Sequence, residues 1–232
     1  IMYVGNYIST IILSIMEGLL QHTTSNPVET MTAESSIIID ILFVVILAPI
    51  LEEILFRKII CNKLLPLGEG YAILISAAIF GIGHGNFYQF AYAFMLGVLF
   101  ALIYVKTGKL RYSIGYHMIF NLFGGIIAPK LVEFADIEGA MELLEQAEPA
   151  LEDALLCLAK MTPMMIYVVL YMGGVALGAV LIIRALVKKK VRFEKGAITP
   201  YAENKVLTVL CTVGTATAVT IYAFSFLLSL IQ

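Results

Sequence analysis

Residues 37–62 read IIIDILFVVILAPILEEILFRKIICN, and this stretch decides what kind of protein the chain is. A helix needs about 20 mostly apolar residues to cross a bilayer, and this run exceeds that length. Yet it carries two adjacent carboxylates, Glu52 and Glu53, and an arginine, Arg57, among isoleucines and leucines. Ionisable side chains inside a membrane span are expensive, so each marks a functional position by default.

Outward from that stretch, the same length rule picks out apolar segments at 1–20, 86–105, 112–128, 164–187 and 205–231. A shorter run, 71–84, ends in Gly81-Ile82-Gly83-His84-Gly85-Asn86 and reads as a helix that stops at depth inside a bundle. Non-helical backbone there is tolerated only where protein or a water cavity surrounds it. Composition agrees. The chain is 60% hydrophobic and 14% charged, with a mean hydropathy of +0.94. A soluble domain is about half apolar and a quarter charged, so the surplus apolar surface here is expected to face lipid. The expected fold is therefore all-α: a polytopic transmembrane bundle of about six or seven helices, forming one integral membrane domain over 1–232. The chain opens on Ile1 within an apolar run, so a preceding segment is expected; no signal-peptide pattern is found.

Charge sets the expected orientation. Of the 15 lysines and arginines, all but Lys130 and Lys160 fall on one side of the alternating spans. That side includes Arg57, Lys58, Lys106, Lys109, Arg111 and a basic loop over 188–204, and is expected to be cytoplasmic. The acidic connector 130–160, with leucines such as Leu143, Leu144, Leu151 and Leu155 among its carboxylates, is expected outside as amphipathic surface helices. Cys61, Cys157 and Cys211 lack metal-ligand or disulfide spacing and read as buried hydrophobes. No basic, aromatic-interleaved patch points to nucleic acid.

Two more polar groups lie in apolar helices: His84 after Phe80-Gly81-Ile82-Gly83, and His117 with Asn121 in His117-Met118-Ile119-Phe120-Asn121. Spacing lets them cooperate. Glu53 and Arg57, Phe80 and His84, and His117 and Asn121 are each i,i+4 and share a helix face. Glu52 is turned about 100° from Glu53 and can point elsewhere. At about 1.5 Å per residue, His117 lies about 9 Å below Arg111, Glu52 about 16 Å from Lys63 and His84 about 20 Å from Gly70. All three fall between one interface and the membrane middle. A Glu53–Arg57 pair that only neutralises itself, and a histidine that only bonds a neighbouring helix, are the plain readings. Two carboxylates, two histidines, an amide and an arginine on three helices speak for a site.

These residues resemble the CAAX prenyl endopeptidase and bacteriocin-processing (CPBP) intramembrane proteases, whose motifs are EExxxR, FxxxH and HxxxN/D on successive helices. Here they stand in order as Glu52-Glu53…Arg57, Phe80…His84 and His117…Asn121, and the likeness covers a catalytic core over 40–127. The resemblance implies a helical bundle around a cavity open to the cytoplasm, and cleavage of a membrane-associated or lipidated peptide near its C-terminus. It implies that Glu52 and His84 activate water, that His117 and Asn121 bind the oxyanion, and that Glu53 and Arg57 brace the motif helix.

The residues themselves support the same chemistry: a carboxylate base, an orienting imidazole, and two N–H donors for the oxyanion. No serine or cysteine stands beside a histidine in these motifs, which disfavours an acyl-enzyme. No cofactor is favoured. Zinc on His84, His117 and Glu52 is the alternative, without the HExxH signature. A non-catalytic peptide-binding or regulatory membrane protein and a proton-coupled transporter are the other function classes; no matched pair of broken helices supports the last. The expected setting is a bacterial plasma membrane, with a membrane-associated peptide or protein as substrate and the lipid bilayer as surroundings. The sequence leaves the oligomeric state open.

Overall fold

A computed structural model describes residues 36–85, 87–145, 150–188 and 192–197, together with Ile11, Ser14 and Ile15. The expected spans 1–20 and 205–231 lie outside the described residues, apart from those three, as does much of the 188–204 loop. Among the described residues the regular elements are helical, and an isolated antiparallel bridge joins Gly68 to Lys195.

The motif-bearing stretch begins with α1 (Ile37–Asp40), passes through a π-helical turn, Ile41–Leu47, and enters α2 (Ala48–Glu53). A second π-helical stretch, Ile54–Cys61, leads into α3 (Asn62–Leu64). The junction residues Ile41, Leu47, Ile54 and Asn62 all keep right-handed helical dihedrals, so the backbone winds on without a break. Pro49 explains the first widening. A proline lacks the N–H for the carbonyl four residues back and its ring presses on that carbonyl, so the preceding turn opens. The pattern recurs at π-helical Leu122–Ile127, which precedes Ala128-Pro129 at the start of α7 (Ala128–Ala135). Between these lie α4 (Glu69–Gly83), α5 (Phe87–Thr107) and α6 (Leu110–Asn121); α8 (Ile137–Glu145) and α9 (Leu151–Val187) complete the order.

Three helical stretches, Gln89–Thr107, Leu110–Glu145 and Leu151–Gly178, are long and apolar enough to cross a membrane, and α4 is apolar but shorter. The sequence separates an acidic connector ending at 160 from a span beginning at 164; the chain instead winds α9 as one helix of 37 residues through Pro163. Glu152 and Asp153 lie in its first turn, where the exposed N–H groups of a helix favour negative charge, so acidity there starts the helix and does not interrupt it.

The described residues fall into two compact units. The first takes in Leu47–His117 and the segment from Arg192; the second takes in Ser36–Ile46 and Met118–Val191. In the first, α4 and α5 pack as an antiparallel hairpin. The hairpin closes because Gly97 has no side chain: a Cβ there would stand 3.0 Å from Ala77 Cα and 3.1 Å from a Phe80 ring carbon. Small residues at such contacts are what let membrane helices approach closely. Phe56, Phe80 and Ala93 form one buried apolar cluster, and Cys61, Leu64 and Ala72 another. Where α4 begins, Gly68 takes φ +117, a conformation side chains oppose. Beside it the Glu69 carboxylate accepts from Lys106 Nζ and from Glu194 N (2.8 Å), while Lys106 also donates to the Arg192 carbonyl. This knot ties residues 192–197 to the hairpin. In the second unit, α7 packs on α9, Tyr167 donates to the Phe123 carbonyl (3.0 Å), and Lys160 pairs with Asp136 (3.0 Å).

Polarity in the first unit is inverted relative to a soluble protein. Glu53, Arg57, Ser76 and Ser113 are fully buried, while Leu51, Leu74 and Tyr116 are exposed. Water does not reward that arrangement; lipid does, because it solvates the apolar exterior and drives polar groups inward.

Candidate active site

The site grows from the second half of the motif stretch. Glu53 and Arg57 are one helical turn apart, and Arg57 Nε donates to Glu53 Oε2 at 3.1 Å with both side chains fully buried. A buried carboxylate must match each of its oxygens to a donor. The second Glu53 oxygen, Oε1, accepts from Nδ1 of His117 at 3.2 Å, a contact across 64 positions of chain. Ser113, one turn before His117 on α6 and also buried, lies beside the same carboxylate.

Glu52 differs from its neighbour. Its side chain is 33% exposed against 0% for Glu53, and its Oε2 lies 3.6 Å from His117 Nε2. Turned about 100° apart on the helix, the two carboxylates approach opposite nitrogens of one imidazole. At 3.6 Å the outer contact is electrostatic and longer than a hydrogen bond.

Aromatic rings wall the cluster. Phe80 meets His117 edge-on with centroids 5.7 Å apart, meets His84 the same way at 4.8 Å, and lies 4.7 Å under the Arg57 guanidinium. Among the described residues the Arg57 outer nitrogens, Nη1 and Nη2, meet no hydrogen-bond acceptor, and the Phe80 ring lies against the guanidinium instead. Phe100 on α5 stacks on His117, with centroids 4.8 Å apart and planes at 24°.

His84 caps α4, where the helix runs out after Gly83. Its Nδ1 contacts the Phe80 carbonyl at 2.9 Å. A carbonyl only accepts, so Nδ1 carries a proton, and in the neutral ring Nε2 is then the lone-pair nitrogen. Glu52, His117 and Arg57 are the ionisable neighbours of His84. The first unit thus brings together Glu52, Glu53, Arg57, Phe80, His84 and His117. Asn121 belongs to the second unit, where its Nδ2 donates to the Val44 carbonyl at 2.8 Å. One of its two amide hydrogens is committed there.

Sequence reading passed over Phe100 and Ser113. Ser113 had a signal, since it precedes His117 by one turn. Phe100 had none, being one aromatic residue in a helix rich in them. Among the described residues no three His, Cys, Asp or Glu side chains converge closely enough to hold a metal ion.

A helical membrane protein with paired carboxylates and histidines at its centre is the class this arrangement defines. Residues 34–123 match the family model of the type II CAAX prenyl endopeptidase Rce1-like proteins, in agreement with the resemblance of the motifs. All seven singled-out residues lie within the match.

Two bacterial proteins are similar to part of the chain. The chain is 33% identical over 123 residues to the "Membrane-embedded CAAX protease MroQ" of Staphylococcus aureus (strain USA300), covering 50% of this chain and 49% of that protein. It is 39% identical over 79 residues to the "Putative membrane peptidase YdiL" of Bacillus subtilis (strain 168), covering 34% of this chain and 32% of that one. The chain therefore spans about half the length of the first relative and about a third of the second. No solved structure matches it.

Proposed function

We propose that this protein is an intramembrane endopeptidase of a bacterial plasma membrane, cutting a membrane-associated or lipidated peptide near its C-terminus. One observation carries the reading: the partly exposed Glu52 carboxylate stands 3.6 Å from Nε2 of a buried imidazole that Glu53 grips at Nδ1.

In this reading Glu52 is the general base. It takes a proton from a water that His84 orients through Nε2, and the hydroxide attacks the scissile carbonyl carbon. The carbonyl oxygen becomes an oxyanion that accepts from His117 Nε2–H and from the second amide hydrogen of Asn121. The proton held by Glu52 then passes to the leaving nitrogen as the C–N bond breaks. Glu53 and Arg57 do not touch substrate; they hold His117 and the motif helix in place. Six or seven spans with the cavity and basic loops facing the cytoplasm complete the proposal, around a core over 40–127. The two bacterial relatives favour a leader peptide, pheromone or bacteriocin precursor over a prenylated tail as substrate.

Zinc on Glu52, His84 and His117 is the alternative reading of the same side chains, and chelation separates the two. The deciding experiment incubates purified protein in detergent with a quenched peptide library, comparing wild type with Glu52→Gln and adding a chelator. Cleavage that the substitution lowers by about 10²-fold or more, and that the chelator leaves intact, is the expected result. Equal cleavage by wild type and Glu52→Gln would overturn the proposed base, and loss of activity on chelation would overturn the metal-free route.

A further inference from the structure

We propose that Phe100 is a positioning residue, the flat platform that fixes the plane of the His117 ring between Glu52 and Glu53. Its catalytic meaning rests on the protease reading above, which this inference deepens. Phe100 lies on α5, outside all three motifs, and is fully buried.

The need for a platform follows from how His117 is held. Its bond to Glu53 anchors one edge of the imidazole at Nδ1, but the torsion that turns a histidine ring is broad and soft. A single anchor therefore leaves the ring free to tilt, and tilting carries Nε2 away from Glu52. Phe100 removes that freedom from one face: the rings stack at 4.8 Å with planes at 24°. Phe80 blocks a second direction edge-on at 5.7 Å. Phe100 also stands 6.0 Å from the Arg57 guanidinium, so one ring flanks two of the groups that contact Glu53. Its own placement depends on Gly97, one turn earlier, whose missing side chain lets α5 close on Ala77 and Phe80 of α4. The aromatic face is thus set by helix packing and not by the polar network it serves.

Two readouts test this. The chain has three histidines, His22, His84 and His117, so a sample with 13C-labelled histidine gives three sets of ring signals, assigned by His22→Gln and His84→Gln. A stacked phenyl shifts the His117 ring protons upfield; Phe100→Met, which keeps volume but loses the ring, is expected to return them by several tenths of a ppm, while Phe100→Tyr retains the shift. In cleavage assays Phe100→Met is expected to lower kcat about tenfold with KM within about twofold, and Phe100→Tyr to restore most of it. Thermal melting checks that both variants fold, and the ring-retaining variant keeps the test decisive if Phe100→Met melts early. Unchanged His117 signals in Phe100→Met, a loss confined to KM, or a Phe100→Tyr as slow as Phe100→Met would overturn the proposal. If wild type and Glu52→Gln are equally inactive, the protease reading fails while the histidine signals still decide whether Phe100 orients the ring.

Discussion

Glu52 and Glu53 are chemically identical neighbours that burial separates, and the proposed mechanism gives them different duties. Glu53 is fully buried and matched on both oxygens, by Arg57 and His117. Removing one member of such a set leaves the others charged or polar in a low-dielectric interior, which costs about 3–5 kcal/mol. Glu53→Ala is therefore expected to lower unfolding free energy by roughly that amount in denaturant titrations in detergent. Glu52→Gln, at a one-third exposed side chain, is expected to leave stability within about 0.5 kcal/mol while stopping turnover. If both variants melt alike, the division of labour is wrong. The pairing of Glu53 with Arg57 is legible in the sequence because one helical turn separates them. The Glu53–His117 bond is not, since nothing local signals a contact between positions 64 apart. Asn121 shows the same limit: its bond to Val44 joins segments 77 residues apart.

Between the helices, shape decides what the residues can do. Gly97 allows α4 and α5 to touch, and a methyl there meets backbone at 3.0 Å. Gly97→Ala is expected to destabilise by about 1–3 kcal/mol and to depress activity further by displacing Phe80 and Phe100. Wild-type melting and turnover in that variant would show that the close approach has no role. A second element-scale prediction concerns the knot at Glu69. Burial alone raises its carboxyl pKa, but the bond from Lys106, the Glu194 N–H and the Lys106 charge outweigh it and hold the group below its ordinary value. A carboxyl whose folded pKa is depressed adds stability above the unfolded value and loses it as pH falls through the folded one. Thermal stability is thus expected to drop in the acid range, with Glu69→Gln already lower at neutral pH and flatter towards acid. A Glu69→Gln profile that parallels wild type would remove the knot from the account. The hairpin's short first helix was readable from the glycines around His84. The π-helical turns before Pro49 and Pro129 were not, because a proline announces a disturbance without saying whether the helix breaks, kinks or widens.

For the molecule in its membrane, composition and run length suffice to give a helical integral protein, because lipid leaves few other solutions. The boundary within the last long helix was not legible: Glu152 and Asp153, read as part of an amphipathic connector, open α9, which winds on through Pro163. Sidedness is testable by cysteine scanning in a cysteine-free background. With the basic loops cytoplasmic, Glu142→Cys is expected to react with a membrane-impermeant maleimide in intact cells, and Lys109→Cys only after lysis. The opposite labelling would invert the proposed orientation.

The apolar reach of α9, Leu151–Gly178, is 28 residues, or about 42 Å of rod at the usual rise. The oily slab it crosses is only about 30 Å deep. A rod longer than the slab tilts, kinks, thickens the bilayer around it or leaves its end beyond the slab, and how much excess there is depends on the slab. Bilayer thickness becomes a variable to which this helix is geometrically sensitive, quite apart from anything that binds near its acidic end.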